Sequence, residues 1–244
     1  MRLSYLPLLV LSFSAVACGG SLYQPSRVAH FAADAPSEVD DDDIRKAFEA
    51  KPQLGDVLNV AYFSFDPSKD ADVDKAIRAV PGVASVYSIP ALAVTGQHRF
   101  EDTQPYPPPA PAPVSTKSLR LLAARAHCDV LVVVDYSRRT DVSANGWIAL
   151  TALLIPTLFV PFRDIKVESA LDAFVIDTRN GYMYGHVSLD QSTQAKAQTI
   201  YATDDAMIAS QWKALSGELE GALISLVAAE RKTTVQRSAP AAAK

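Results

Sequence analysis

With 244 residues, 49% of them hydrophobic and 20% charged, the chain has a globular composition and length for one ordinary domain with tails, or at a stretch two small ones. A formal net charge of -4 supplies no general attraction for nucleic acid or for an anionic lipid surface. The two cysteines stand in unlike contexts, Cys18 at the end of an apolar leader and Cys128 where a predicted helix meets an apolar strand, so no intrachain disulfide is expected. Cys128 is expected to act as a small buried hydrophobe.

Arg2, the apolar run Leu3 to Val16 and the small residues before Cys18 have the layout of a secretory signal over 1–17. The run falls short of the roughly 20 residues that cross a bilayer as a helix. Ala15-Val16-Ala17-Cys18-Gly19 resembles a bacterial lipobox. That resemblance implies removal of 1–17, diacylation of the Cys18 sulfur and acylation of the new amino group. Gly19, rather than Asp, follows the Cys, which by the usual sorting tendency of such lipoproteins implies an outer-membrane destination facing the periplasm.

Residues 18–52 are poor in large apolar groups and are expected to form a flexible tether that gives way to a short helix from Ile44 to Ala50. The run Asp40 to Asp43 lacks the alternate spacing and turn glycine of a calcium loop, and suits the positive end of that helix. An α/β domain is expected over 53–232. Its first strand, Asp56 to Asp66, carries apolar groups on both faces. A helix follows over Ala71 to Val80, stopped by Pro81-Gly82, and then a strand from Val83 to Thr95 in which Pro90 marks a bulge or an edge. Proline density over 100–114 forbids a ladder; the segment is either an exposed loop or a docking site for an aromatic groove.

Leu119, Leu122, Ala123 and Ala126 share one face of a helix from Thr116 to Ala126, capped by Ser115 or Thr116. Val130 to Asp135 is a continuous β-branched run, the pattern of a central strand. Ala170 to Asp177 and Tyr182 to Leu189 flank Thr178-Arg179-Asn180-Gly181, whose Asn-Gly pair signals a hairpin. Between these strands lies an apolar excursion, 147–162, broken by Pro156 and Pro161; it is core filling, or a hairpin that dips into the membrane or pairs with a neighbouring subunit. A terminal helix from Thr203 to Arg231 places Ile208, Trp212, Leu215, Leu219, Ala222 and Leu226 on one stripe, for its own sheet or for a second chain. Residues 233–244 are expected to be a disordered tail.

No catalytic, cofactor-binding or metal-binding constellation stands out. His30, His98, His127 and His186 are isolated from one another and from ligand-type spacing. His186, Ser188 and Asp190 share one strand face, but positions two apart sit roughly 6–7 Å apart along the backbone, outside triad contact. They suit solvent-facing alternation.

From Leu119 the pattern Leu-x-x-Leu-Ala-Ala-Arg-Ala-x-Cys-Asp-Val-Leu-Val-Val-Val-Asp-Tyr, then an apolar stretch, and then Leu171 to Arg179, resembles the rhombotarget-type bacterial lipoproteins. More distantly it is similar to the α/β domain of curli-secretion-channel-like lipoproteins and of lipoprotein activators of cell-wall synthases. The likeness covers roughly Val57 to Arg231 and implies no catalytic residues. The chain departs from the rhombotarget pattern in ending Ala-Ala-Ala-Lys, without a Gly-rich segment, apolar span and basic end.

The expected architecture is α/β (α+β): a single mixed sheet of about four to five strands, flanked by helices, with a long C-terminal helix. The expected function is that of a non-enzymatic envelope lipoprotein, anchored through Cys18, that binds an envelope protein or associates with itself. Its candidate interaction residues are Trp147, Leu154, Phe159 and Phe162 of the excursion and Trp212 and Leu219 of the terminal helix. The alternatives are an oligomeric secretion-channel-like component with a membrane-inserting hairpin and an enzyme of unrecognised type.

Overall fold

The computed structural model describes residues 21–24, 41–95, 114–144, 163–197 and 204–238. Its sheet is mixed and has six strands, in the order β3-β2-β4-β5-β6 with β1 paired to β4 off that path. These are β1 (Ser21–Gln24), β2 (Leu58–Ser64), β3 (Val83–Ser88), β4 (Val130–Ala144), β5 (Arg163–Asp177) and β6 (Met183–Ala197). The helices are α1 (Asp41–Glu49), α2 (Asp70–Arg78), α3 (Ala91–Thr95), α4 (Thr116–Arg125) and α5 (Asp205–Ser238). The α/β class and the long terminal helix agree with the expectation, and the sheet is slightly larger than expected because β1 joins it.

Two compact units divide the chain: Ser26–Ser137 with Ala170–Leu189 and Lys213–Lys244, and Met1–Pro25 with Arg138–Ser169 and Asp190–Trp212. In the larger unit β2 lies parallel to both β3 and β4, with Val60 across from Val130 and Ser64 across from Val134. Because side chains alternate along a strand, each of these central strands needs two apolar faces. Ala61, Phe63, Leu131, Val133 and Ile176 pack with Leu119 and Ala123 of α4 and with Cys128. Val60, Val130, Val132 and Val175 line an apolar pocket with Ile77 of α2 and Leu223 and Val227 of α5. Each such side chain removed from water contributes about 1.5–3 kcal/mol.

In the smaller unit Ile165 and Val167 of β5 pack with Ile208 of α5, joined by Val142 and Met207. Here only one face of the sheet is apolar. Odd-numbered Ile165, Val167 and Ser169 are buried, whereas even-numbered Lys166 is exposed. One-sided burial of this kind is what antiparallel strands tolerate.

Five expectations need correction. The tether 18–52 contains β1, held to β4 in the register Ser21↔Asp141 to Gln24↔Arg138. The strand expected over Val83 to Thr95 ends at Ser88: Ile89 N still donates to Tyr62 O, but Pro90 has no N–H to give, and its carbonyl instead accepts from Ala93 N at 3.0 Å to start α3. The strands expected to be six to eight residues long run to fifteen. Their extra halves carry mostly polar residues, as in Ser137-Arg138-Arg139-Thr140-Asp141. The buried stripe of α5 follows Ile208, Trp212, Leu215 and Leu219 as expected, then continues through Leu223 and Val227 in place of Ala222 and Leu226. Lastly, helix α5 continues to Ser238, into the expected tail, with the Thr233 and Thr234 hydroxyls donating to the carbonyls of Ala229 and Glu230 at 3.1 and 2.9 Å. Among 100–114, only Val114 is described, and it is buried.

Candidate functional site

The most polar part of the larger unit is built on the β5–β6 turn. Asp177 N donates to Tyr182 O at 2.7 Å and Gly181 N to Asp177 O at 3.0 Å, with Gly181 in the left-handed region at φ 75°. The buried Asp177 carboxylate accepts from Arg179 N at 2.8 Å through Oδ1 and from the Tyr184 hydroxyl at 2.6 Å through Oδ2. Tyr184 in turn accepts from Gln53 N at 3.1 Å. Burial, followed by the bond to Asp177, holds its phenol well above the ordinary tyrosine range. Asp129 draws in the neighbouring strand: it accepts from Arg179 Nη2 at 2.6 Å and from Asn59 N at 3.1 Å. Arg120 of α4 closes the turn by donating to the carbonyls of Thr178 and Arg179 at 3.1 and 2.9 Å. Nearly every donor here meets a backbone or carboxylate acceptor of the same scaffold, so the cluster fixes the hairpin against β2 and α4.

The strand face singled out from sequence is also placed. His186, Ser188 and Asp190 are exposed, in keeping with solvent-facing alternation. His186 Nε2 lies 2.8 Å from Asp172 Oδ1 of the neighbouring β5, and its ring stacks on Phe174 with centroids 4.3 Å apart and planes 10° apart. The histidine's carboxylate partner is therefore Asp172, across the sheet, and not Asp190. Among the described residues no group of three or more His, Cys, Asp or Glu is arranged to hold a metal ion. Cys128 is buried, and desolvation, then the Asp129 charge, raises its thiol pKa.

Of the expected interaction residues, Trp212 and Leu219 are 6% and 0% exposed. Their side chains belong to the chain's own core. Trp147, Leu154, Phe159, Phe162 and Cys18 lie outside the described residues.

The apolar side chains that do face water are elsewhere. Ile44 and Phe48, one helical turn apart on α1, are 60% and 91% exposed, and no residue of that helix is buried. Leu22 and Tyr23 on β1 are 71% and 65% exposed. Sequence inspection passes over all four, because an i,i+4 apolar pair and a four-residue strand carry the same pattern whether covered or bare. The candidate functional sites are thus surfaces.

No family model matches the chain, and no curated protein matches it. Among solved structures it is similar to the PelC dodecamer from Paraburkholderia phytofirmans, at 10% identity over 86% of this chain and 98% of that one, with a TM-score of 0.32. It is also similar to lipoprotein GNA1162 from Neisseria meningitidis, at 14% identity over 70% and 98% of the two chains, with a TM-score of 0.25. Among the described residues no helix is long and apolar enough to cross a membrane.

Proposed function

We propose that the protein is a non-enzymatic lipoprotein of the bacterial envelope, anchored by acylated Cys18 in the outer membrane facing the periplasm, whose α/β domain binds another envelope protein or further copies of itself. The observation that carries the anchoring is the position of Cys18: an apolar leader ends in small residues at Cys18, and the first hydrogen-bonded strand begins at Ser21, three residues later. Three acyl chains suffice for stable attachment, since two already do where one is marginal.

For the binding surface, the support is helix α1. Burying an exposed Phe and Ile on a partner contributes roughly 1.5–3 kcal/mol for each side chain, and aromatic anchors of this kind concentrate interface energy. The pair Ile44 and Phe48 therefore replaces Trp212 and Leu219 as the contact to test.

Metabolic labelling with palmitate and fractionation tests the first half. Wild type is expected to carry the label and sediment with outer membranes, and Cys18→Ser to lose the label and become soluble; an unlabelled wild type ends the reading. For the second half, a photoreactive side chain at position 48 is expected to give one discrete adduct in cells, and a smear or no adduct counts against α1 as the contact.

A further inference from the structure

We infer that β1 is a membrane-contact strand, with Leu22 and Tyr23 seated in the headgroup layer of the bilayer that holds the anchor. The inference rests on acylation of Cys18 as proposed above, and goes beyond it by placing a strand of the smaller unit against the lipid in place of a free tether.

The argument begins with chain length. Ser21 is three residues from Cys18 and is hydrogen-bonded into the sheet opposite Asp141. At no more than about 3.6 Å per residue, the two α-carbons lie within about 11 Å of each other. The headgroup region on one side of a bilayer is roughly 5–8 Å deep, the difference between its overall and hydrocarbon thickness shared over two leaflets. Acyl chains on Cys18 occupy the hydrocarbon, so β1 starts inside the headgroup layer or directly on it. Pairing of β1 with β4 removes the slack that 18–52 would otherwise provide.

Direction follows from the register. Because β1 is antiparallel to β4, its Ser21 end, the end nearer Cys18 in sequence, lies opposite Asp141, on the Ala144 side of β4. That end of the strand faces the bilayer.

The side chains suit the place. Leu22 and Tyr23 are consecutive, so they project from opposite faces of the strand, and both are bare. A protein docking on one sheet face would cover only one of them. A headgroup layer surrounds a strand on both faces, and tyrosine is enriched at that depth. Among the described strands β1 pairs only with β4, leaving its other edge to be hydrated. An unpaired edge is excluded from hydrocarbon, which stops the strand at the headgroup level. The carboxylate of Asp141 would repel lipid phosphate, and Arg139 Nε at 2.9 Å offsets it.

Hydroxyl-radical footprinting of the full acylated chain in phosphatidylethanolamine and phosphatidylglycerol vesicles tests this, with the soluble Cys18→Ser form as reference and intact mass recorded for both. Oxidation of Leu22 and Tyr23 is expected to fall by about fivefold in vesicles, as for side chains buried at the headgroup boundary. Tyr87, which is also exposed, is expected to react equally in both states. Unchanged oxidation at 22 and 23 in a protein whose mass shows the acyl chains overturns the inference and leaves the lipoprotein reading standing. A wild-type mass without acyl chains overturns both.

Discussion

Gln211 shows how one polar side chain fixes a helix on a sheet. It is buried on α5, and its Nε2 donates to Val167 O at 2.8 Å and to Thr193 Oγ1 at 2.9 Å, while its Oε1 accepts from Ser169 Oγ at 2.6 Å. All of its partners lie on β5 and β6, so α5 can settle there in one register only. Gln211→Ala leaves a buried hydroxyl and a buried carbonyl without this donor and acceptor. The expected loss is about 2–4 kcal/mol, read from chemical denaturation of the Cys18→Ser form. Adding Ser169→Ala is expected to recover part of it, because the hydroxyl that bonds Gln211 is removed along with its partner. Tyr184 makes a second prediction, on pH. Its phenol is raised above the ordinary value of 10.0 by burial and then by the bond to Asp177. Above pH 10 the unfolded chain ionises while the folded one keeps its proton, so the unfolded state binds fewer protons and stability falls as pH rises. Below pH 10 the contribution is complete. Tyr62, whose phenol is raised chiefly by burial, adds to the same slope. Tyr184→Phe is expected to cost about 1–2 kcal/mol at neutral pH and to make the loss between pH 10 and 11.5 shallower, by up to about 1.4 kcal/mol per pH unit. An unaltered slope in urea melts would show that the phenol ionises freely in the folded state.

Among the elements, the approach of α5 to β6 turns on Gly185. A Cβ at that position would stand 2.5 Å from Leu226 Cδ1, closer than carbon atoms pack. The atom met is the free end of a flexible, half-buried side chain that can shift, so Gly185→Ala is expected to destabilise by only about 1 kcal/mol, the low end for overpacking. Combined with Leu226→Ala, the loss is expected to be smaller than the sum of the single changes by about 0.5 kcal/mol, the coupling of residues in contact. Strict additivity in denaturant titrations would place the strain elsewhere. The same helix shows what patterning could and could not tell. Through Leu219 its apolar steps alternate four and three, the spacing a flat stripe requires, and those residues are buried. Beyond Leu219 the sequence offers both Ala222–Leu226 and Leu223–Val227, and only the sheet beneath decides for Leu223 and Val227. In the strands, the half covered on both faces, Val130 to Asp135, announces itself as an apolar run, and Ala170 to Asp177 is marked by the Asn-Gly turn that follows it. Their outer halves carry Arg139 beside Asp141 and Lys166 beside Glu168, pairs that look like loop until one sees that alternate residues face inward. Pro90, expected to mark a bulge or an edge, stands just past the end of β3, which is an edge strand among the described strands, since a residue without N–H can as well open a helix as mark a bulge.

At the scale of the whole molecule, the candidate surface was the least legible part. Apolar periodicity marks residues that avoid water, and a core residue and a contact residue avoid it equally; hence Trp212 and Leu219 were drawn from the strongest stripe and turned out to be core. What distinguishes a contact is that the chain's own fold leaves it uncovered, and Ile44 and Phe48 meet that criterion only after folding is known. This separation between stability and association is itself testable. Side chains that make no buried contact contribute little to folding, and surface substitutions of this kind stay within about 0.5 kcal/mol. Ile44→Ser combined with Phe48→Ser is therefore expected to leave the denaturation midpoint of the Cys18→Ser form unchanged, and to leave acylation and membrane attachment of the otherwise natural chain unchanged, because neither depends on α1. The adduct formed through α1 is expected to vanish, read with the photoreactive group moved to position 45, a neighbouring solvent-facing residue of the same helix. A loss of several kcal/mol of unfolding free energy would assign the pair to the core of the fold. An adduct that survives both serines would move the contact to another face of the protein.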